Sequence, residues 1–276
     1  MVKKIATFSK IYALASLQNG LLATGSEDGT VRIWNAITGS FIKTLTSFST
    51  PVYSLSVLPN GYLACGSNGL IQVWFTDTST LLLTINNGTN GKMAAFQNDY
   101  IASGDLTGAI KIWNSNNGNL FRTLNGHTSY IFSFATLQNG FLASGSYDST
   151  IKIWNVTQAS LIRTIAGQIN GVILVLPNGY LASGSWDYSI KIWNTDDGSL
   201  VRVLTGHTNL VQALAVLKNG TLASGGFDNT VRIWNVDTGS LNSTLRTSTE
   251  YVEALAVLQN GYLASVTADN MINFWN

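Results

Sequence analysis

Two observations in the amino-acid sequence predict an all-β fold, a seven-bladed β-propeller of four-stranded antiparallel blades. The first is a tryptophan that recurs at intervals of 39 to 41 residues, at Trp34, Trp74, Trp113, Trp154, Trp193, Trp234 and Trp275. The second is a fixed order of short alternating segments and turn residues between these tryptophans. A unit of about 40 residues cannot bury both faces of its own sheet, so neighbouring units must stack, and repeats of this length are typical of propellers.

The unit before Trp154 and just after it shows how the four strands are predicted. The segments "IFSFATL" and "FLASGS" flank Asn139-Gly140, a pair that favours a tight hairpin turn. The third segment, "TIKIW", places a lysine between apolar residues with the period of two that a strand requires. The fourth, "SLIRTI", alternates again. No segment of the chain shows a sustained period of 3.6 residues with helix caps, so no helix is predicted.

The chain ends on "MINFWN", where the third strand of the seventh unit finishes and no fourth strand follows. The N-terminal "MVKKI" aligns with "LVRVL" (200–204) and "LIRTI" (161–165), which directly precede an innermost strand. We therefore predict that the N-terminal strand, residues 1 to about 6, completes the C-terminal blade by pairing with residues 271–275. This pairing closes the ring and leaves no open sheet edge between the first and last blades.

The composition gives no sign of binding to nucleic acid or to a membrane. Charged residues make up 11% of the chain and the formal net charge is +1, so the sequence provides no basic surface. The longest apolar run, "GVILVL", is far shorter than the ~18 residues of a membrane-spanning helix. The one cysteine, Cys65, excludes an intrachain disulfide and favours an intracellular (cytoplasmic or nuclear) location. Without a linker or a shift in composition, residues 1–276 are predicted to be a single domain.

These units resemble WD-repeat propellers over essentially the whole chain. The resemblance is carried by "GH" at Gly126-His127 and Gly206-His207, by "LASGS" in the second strand, by the turn aspartate and by the strand-ending tryptophan. The family usually follows that tryptophan with Asp, whereas this chain has Asn in most units and Phe75 in the second. Asn also suits a turn that ends a strand, so the substitution leaves the predicted fold unchanged.

The resemblance implies a buried hydrogen-bond chain of His, Ser, Asp and Trp within a blade. A buried indole N–H needs an acceptor, which a serine hydroxyl supplies, and the serine can donate to His and the His to Asp. Two units have the full set: His127, Ser144, Asp148 and Trp154, and His207, Ser224, Asp228 and Trp234. Elsewhere the His position is occupied by Phe48, Gln168 and Ser248, and the Asp position by Asn68 and Thr107.

A Ser/His/Asp set also occurs in hydrolases, where it needs an exposed nucleophile and an oxyanion hole. Here the set recurs with the repeat and accompanies a tryptophan, as residues that specify a fold do. We therefore predict no catalytic residue. The one cysteine and two histidines of the chain fall in different blades, so no metal site and no cofactor are predicted either.

In WD-repeat proteins that grip peptides, two positions per blade often contact the partner at one end of the ring. The first is the second residue of the innermost strand, here Tyr12, Tyr53, Gly91, Phe132, Gly171, Gln212 and Glu253. The second precedes the turn aspartate, here Glu27, Ser67, Leu106, Tyr147, Trp186, Phe227 and Ala268. By this resemblance the partner-binding residues are Tyr147, Trp186, Phe227, Phe132, Tyr12, Tyr53, Gln212 and Glu253.

Tyr147, Trp186 and Phe227 occupy consecutive blades 4, 5 and 6, so they are predicted to form an aromatic arc on one face of the ring. Exposed, clustered aromatic rings are typical of binding anchors. The alternative is that the three rings pack on neighbouring turns. Glu253 and Glu27 lie on the other side of the ring and would suit a basic residue of a partner.

The sequence therefore predicts a non-enzymatic protein–protein interaction scaffold that binds a peptide or protein segment, either as a monomer or as a domain of a larger protein. One alternative is a glycan-binding propeller, in which aromatic rings stack on sugars, but only three of the seven units carry an aromatic residue before the turn. A propeller hydrolase would need a cluster of carboxylates or histidines in the channel, where the inner ring offers Glu253. A propeller without any evolved partner is the fourth interpretation.

Overall fold

The computed structural model describes residues 3–89, 91–97, 99–247 and 250–276, and it contains seven sheets of four antiparallel strands each. Within these ranges every regular element is a strand. Accordingly, none of the residues described belongs to a helix long and apolar enough to cross a membrane. The predicted all-β fold with seven four-stranded blades is confirmed.

Six of the blades are continuous in sequence, and each contains four successive strands after β1, Lys3–Ala6. Blade 1 contains β2 to β5, at Ile11–Ser16, Leu21–Ser26, Thr30–Asn35 and Phe41–Ser47. Blade 2 contains β6 to β9, at Val52–Val57, Leu63–Ser67, Leu70–Phe75 and Thr80–Asn86. Blade 3 contains β10 to β13, at Met93–Phe96, Tyr100–Gly104, Ile110–Asn114 and Leu120–Leu124.

The next three blades follow the same order of strands. Blade 4 contains β14 to β17, at Ile131–Thr136, Leu142–Ser146, Thr150–Asn155 and Ser160–Ala166. Blade 5 contains β18 to β21, at Ile169–Val175, Leu181–Ser185, Ile190–Trp193 and Leu200–Leu204. Blade 6 contains β22 to β25, at Val211–Val216, Leu222–Gly226, Thr230–Trp234 and Leu241–Arg246.

Blade 7 is built from both ends of the chain. Its inner strands are β26 to β28, at Val252–Val257, Leu263–Thr267 and Met271–Trp275. The N-terminal strand β1 pairs antiparallel with β28, and Lys3 lies opposite Phe274. This pairing confirms the predicted closure of the ring. Met1 and Val2, which belong to the predicted strand, lie outside the described residues.

The hydrophobic core lies between the blades. The innermost strands contact their neighbours around a central channel, and β26 contacts β2 to complete the circle. Seven clusters of buried side chains each join two adjacent blades; for example, Val31 and Ile33 of blade 1 pack with Val52 of blade 2. The close approach of adjacent blades requires small residues in the second strand. A Cβ at Gly25 of blade 1, for example, would lie 2.6 Å from Val52 Cγ1 of blade 2. The two faces of each blade are thereby buried by its neighbours.

Candidate functional site

Each repeat tryptophan directs its indole N–H to an acceptor inside its own blade. In six blades the acceptor is a Ser or Thr hydroxyl ten residues earlier, at 2.8 to 2.9 Å, in the pairs Trp34–Thr24, Trp113–Ser103, Trp154–Ser144, Trp193–Ser183, Trp234–Ser224 and Trp275–Ser265. In blade 2, Cys65 occupies the hydroxyl position, and Trp74 donates to Gln72 Oε1 at 3.2 Å. The seven buried or half-buried indoles are therefore all satisfied.

In blade 4 this hydrogen bond extends into a chain of four side chains. Ser144 Oγ accepts from Trp154 and lies 2.7 Å from His127 Nε2, while His127 Nδ1 lies 2.7 Å from Asp148 Oδ2. With its oxygen accepting from the indole, the serine hydroxyl donates to Nε2, and the neutral imidazole donates from Nδ1 to Asp148. Burial lowers the pKa of His127, against the opposing effect of Asp148, so the neutral form is favoured.

Blade 6 repeats the arrangement with nearly the same distances. His207 Nε2 lies 2.7 Å from Ser224 Oγ, and His207 Nδ1 lies 2.8 Å from Asp228 Oδ2. Partial burial opposes ionisation of Asp228, but its hydrogen bonds to His207 and Thr230 outweigh burial and hold the pKa of the carboxyl well below its ordinary value. Ser144 and Ser224 are both completely buried.

The blades without a histidine use other residues at the same turn. In blade 3 the sequence places Thr107 at the turn-aspartate position, but Asp105, two residues earlier, is the acceptor. Its Oδ1 accepts from the backbone N–H of Thr107 and of Ala109, both at 2.9 Å, and from the Thr107 hydroxyl at 2.7 Å. In blade 5, Gln168 occupies the histidine position and is exposed. Ser248, the corresponding residue of blade 7, lies outside the described residues.

Two of the three residues of the predicted aromatic arc contact each other. Tyr147 and Trp186 have ring centroids 5.9 Å apart, and their exposed fractions are 44% and 46%. Tyr147 also contacts Phe132 at 5.2 Å and Tyr130 at 5.4 Å. Tyr130 was not among the predicted site residues, although it directly precedes β14, the innermost strand that contains the predicted residue Phe132. We call Tyr130, Phe132, Tyr147 and Trp186 the aromatic cluster.

Phe227, the third residue of the predicted arc, belongs to a different group of rings. Its centroid lies 4.5 Å from that of Tyr251 in blade 7, and among the described residues no ring pair joins it to Trp186. Tyr251 in turn lies 5.5 Å from Lys10 Nζ, which is 4.9 Å from the ring of Tyr12. The aromatic residues at this end of the ring therefore form two groups, separated between blades 5 and 6.

The two predicted glutamates at the channel end of the ring, Glu253 and Glu27, both interact with side chains of the same protein. Glu253 Oε1 forms an ion pair with Lys10 Nζ at 2.6 Å, and Glu27 Oε1 accepts from the Tyr12 hydroxyl at 3.3 Å. Partial burial lowers the pKa of Lys10, but the hydrogen bonds to Glu253 and Tyr251 outweigh it and raise the pKa above its ordinary value. Sequence reasoning did not identify Lys10, which precedes the first innermost strand. The negative charge of Glu253 is thus balanced by a residue of the same chain.

The central channel opens between these aromatic groups and has a volume of about 460 Å³. The predicted ring residues Tyr12, Tyr53, Phe132, Gln212 and Glu253 all line it. In blades 3 and 5 the predicted positions are Gly91 and Gly171, and the residues that follow them, Lys92 and Val172, line the channel. The corresponding residues of the other blades are Ala13, Ser54, Ser133, Ala213 and Ala254.

Lys92 is a third residue at this end of the ring that sequence reasoning missed, after Tyr130 and Lys10. Its Nζ lies 5.0 Å from the centroid of Phe132, within the range of a cation–π contact. Burial lowers the pKa of its ammonium group, and the charge of Glu253 partly opposes that effect. The signal was present in the sequence, because Lys92 is a lysine at a position where the other blades have Ala, Ser or Val.

A second cavity, of about 600 Å³, lies over blade 3 beside the channel mouth. Its lining includes Tyr53 and Tyr130, which stand between it and the channel, and Leu106, whose exposed fraction is 69%. We call this cavity the blade 3 groove. No group of three or more His, Cys, Asp or Glu side chains that could hold a metal ion occurs in the described part of the chain.

Comparison with known proteins identifies the repeats. The family model for the WD domain, G-beta repeat (WD40) matches five segments, which together make up more than half of the chain: residues 3–35, 39–74, 118–155, 159–194 and 198–235. Among solved structures, the crystal structure of the WD40 beta propeller domain of Doa1 matches with a TM-score of 0.85, covering 99% of this chain and 94% of that chain at 22% identity. At that identity the likeness concerns the fold.

Curated relatives match over shorter stretches. Human apoptotic protease-activating factor 1 is 34% identical over 112 residues, which are 38% of this chain and 9% of that protein. The COMPASS component SWD3 of Saccharomyces cerevisiae is 30% identical over 38% of either chain. The target of rapamycin complex subunit LST8-1 of Arabidopsis thaliana is 34% identical over 34% of this chain and 32% of its own. The matches thus span well under two thirds of these relatives' lengths.

Proposed function

Because the chain belongs to the WD40 family of G-beta-repeat propellers, we propose that it is a non-enzymatic scaffold that binds a protein or peptide segment at the channel end of the ring. WD40 propellers generally act as scaffolds in protein interactions. Two relatives are named as parts of assemblies, a component of COMPASS and a subunit of a target of rapamycin complex, which supports a protein partner for this chain as well.

The observation that carries this proposal is the aromatic cluster at the channel mouth. Tyr147 and Trp186 are each close to half exposed although both rings contact other aromatic residues. Large apolar rings that remain in water beside a channel supply much contact area and little conformational freedom, and such residues dominate the energy of many interfaces. Phe227 with Tyr251 extends the proposed surface towards blade 7.

The geometry of the Ser/His/Asp sets supports a structural role for them. Ser144 and Ser224 are completely buried, and His127 and His207 are 5% and 7% exposed. A nucleophile must reach its substrate, so these hydroxyls are unsuited to hydrolysis. We further propose that residues 1–276 act as one domain, because the seven interblade clusters link each blade to its neighbours. We also propose an intracellular location, where the free, buried thiol of Cys65 would stay reduced.

The proposal is tested by affinity capture with the immobilised full chain. The triple variant Tyr147→Ala, Trp186→Ala, Phe227→Ala should lose the proteins that wild type captures, because the rings that anchor the interface are removed. A double variant, Leu161→Ala with Ile162→Ala, is a matched control. These side chains lie on the outer strand of blade 4 and are 44% and 45% exposed, so their loss removes similar apolar exposure away from the channel.

Capture of the same proteins by wild type and the triple variant, with equal recovery, would contradict the proposed surface. If the triple variant fails, the double variant Tyr147→Ala, Trp186→Ala and the single variant Phe227→Ala show which group of rings carries the contact. Retention of glycans rather than proteins on an array would favour the glycan-binding alternative over the scaffold.

A further inference from the structure

We propose that the segment bound at the channel end is rich in proline and lies in a polyproline II conformation over the aromatic cluster of blades 4 and 5. This inference rests on the proposed function, because it names the chemistry of a segment bound by the same rings. The cluster offers apolar ring faces and hydrogen-bond donors, whereas the acceptors beside it already take hydrogen bonds from the chain.

Backbone hydrogen bonds fix the positions of the two exposed rings. The Tyr147 N–H donates to the Tyr130 carbonyl at 3.0 Å, and the Trp186 N–H donates to the Gln168 carbonyl at 3.0 Å. Each turn that carries a ring is thereby attached to the residue that precedes the innermost strand of its own blade. Ring contacts at 5.4 Å between Tyr130 and Tyr147, and at 5.9 Å between Tyr147 and Trp186, hold the side chains together. A ligand that covers rings already fixed in this way costs little conformational freedom.

The cluster presents hydrogen-bond donors that the chain does not use. Within the described residues, no hydrogen bond involves the hydroxyls of Tyr130 and Tyr147 or the indole N–H of Trp186. Burial raises the pKa of Tyr147, and it raises the pKa of Tyr130 to about 12, so both hydroxyls keep their protons. Three donors beside apolar ring faces therefore favour a ligand that is itself apolar and rich in acceptors.

The other group of rings at this end differs in this respect. The Tyr12 hydroxyl donates to Glu27 at 3.3 Å, and the Tyr251 hydroxyl accepts from Lys10 Nζ at 3.2 Å. The same ammonium group pairs with Glu253 at 2.6 Å. The polar atoms of that group thus take part in contacts within the chain, so the free donors belong to blades 4 and 5.

The acceptors next to the cluster already accept hydrogen bonds from the chain. The Gln168 carbonyl accepts from the Ser185 hydroxyl as well as from the backbone of the turn. The two turn carboxylates, Asp148 and Asp187, each accept through both oxygens from groups of their own blades. A segment with many N–H groups would therefore meet few acceptors here, and its own donors would lose hydrogen bonds to water without replacement.

A proline-rich segment meets both conditions. Proline has a carbonyl and no N–H, and a polyproline II helix has no internal hydrogen bonds, so its carbonyls remain available as acceptors. Surfaces lined by aromatic rings are typical receptors of such segments, which are already extended before they bind. Prolines three residues apart lie on one side of the helix, about 9 Å from each other. A Pro-x-x-Pro segment can therefore contact more than one ring of the cluster.

Two peptide libraries displayed on phage test the inference on the immobilised full chain. Each peptide has about 12 residues; one library fixes proline at two positions three residues apart, and the other fixes alanine there. Wild type should enrich the proline library. The enriched peptides are synthesised with a fluorophore, and their Kd is measured by anisotropy. Alanine in place of both prolines should raise Kd by about tenfold or more, whereas N-methylalanine, which also lacks the N–H, should raise it less.

Conservative variants of the chain separate the donors from the rings. Tyr147→Phe and Trp186→Phe each keep an aromatic ring and remove one donor, so each should raise Kd by about threefold to tenfold. Tyr180→Phe makes the same change beyond the opposite end of β19 from Trp186, and it should leave Kd unchanged. Unchanged melting temperatures of these three variants show that the fold is intact. The double variant Tyr147→Ala, Trp186→Ala should lose the peptides.

The outcomes distinguish this inference from the proposed function. Equal enrichment of both libraries, with binding that the double alanine variant loses, would overturn the proline assignment and leave the scaffold function standing. Unchanged Kd for both Tyr147→Phe and Trp186→Phe, or equal binding of the proline peptides by wild type and the double alanine variant, would overturn it too. If wild type retains no peptide of either library, the inference is overturned, and the capture of whole proteins decides the scaffold function separately.

Discussion

Blades 3 and 4 are neighbours in the ring, and they use their polar residues in different ways. Blade 4 places His127, Ser144 and Asp148 in one buried chain with Trp154. Blade 3 has the bond from Trp113 to Ser103 and closes its turn with Asp105. Its innermost strand has four residues, whereas that of blade 4 has six.

The difference shows where the repeat leaves room for function. In blade 4, His127, Ser144 and Asp148 form hydrogen bonds with one another inside the blade. The side chain that this turn exposes at the channel end is the aromatic residue Tyr147. In blade 3 the ring position is Gly91, the next residue is a channel-facing lysine, and a groove opens above the blade. Departures from a fold's own local pattern tend to coincide with functional sites, and blade 3 departs at its ring position and at its turn.

The largest effect is expected from breaking the buried chain. His127→Ala and His207→Ala should each lower the free energy of unfolding by about 1–3 kcal/mol, because the serine and aspartate partners remain buried without the imidazole. Denaturant titration measures the loss. Gln168→Ala, at the exposed equivalent position of blade 5, is the matched control and should have little effect. Equal midpoints for both histidine variants and wild type would refute a stabilising network.

A smaller effect is expected in blade 3. Asp105→Ala should lower the free energy of unfolding by about 1 kcal/mol, because three donors of a partly exposed turn lose one acceptor and water can replace it. Thr107→Ala should cost less, since Thr107 Oγ1 is a donor to Asp105 rather than the acceptor of the turn. If the threonine variant were the more damaging of the two by the same titration, Thr107 and not Asp105 would hold the aspartate role.

The smallest effect expected is a dependence of stability on pH that comes from blade 4. Burial lowers the pKa of His127 below its ordinary value of 6.5, so the unfolded chain binds more protons below that pH. The free energy of unfolding should therefore fall as pH decreases from about 7.5 to about 5. Denaturant midpoints across that range should fall less steeply for His127→Ala than for wild type, while His207→Ala keeps the contribution of His127. If the midpoints of wild type and His127→Ala fell equally steeply with pH, His127 would not be the source of the pH dependence.

Much of the candidate site followed from register. Once the tryptophan spacing fixed the blades, Tyr12, Tyr53 and Phe132 could be placed at the channel from their position in the innermost strand, and the structure has them there. Their position could be read from the sequence because a strand alternates its side chains and a repeat copies that alternation from blade to blade. The prediction missed Lys92, because the residue that follows each predicted ring position also lines the channel, and in the other blades that residue is Ala, Ser or Val.

The sequence by itself determined the blade count, the strand order, the closure of the ring by residues near the N-terminus and the membership of the two His/Ser/Asp/Trp sets. These are periodic or local properties, which a chain carries in its spacing. Only the tertiary structure decided which rings contact one another, that Lys10 neutralises Glu253, that Asp105 replaces Thr107, and that a groove adjoins the channel over blade 3. Those features depend on distances between residues far apart in the chain, and spacing along the sequence does not encode such distances.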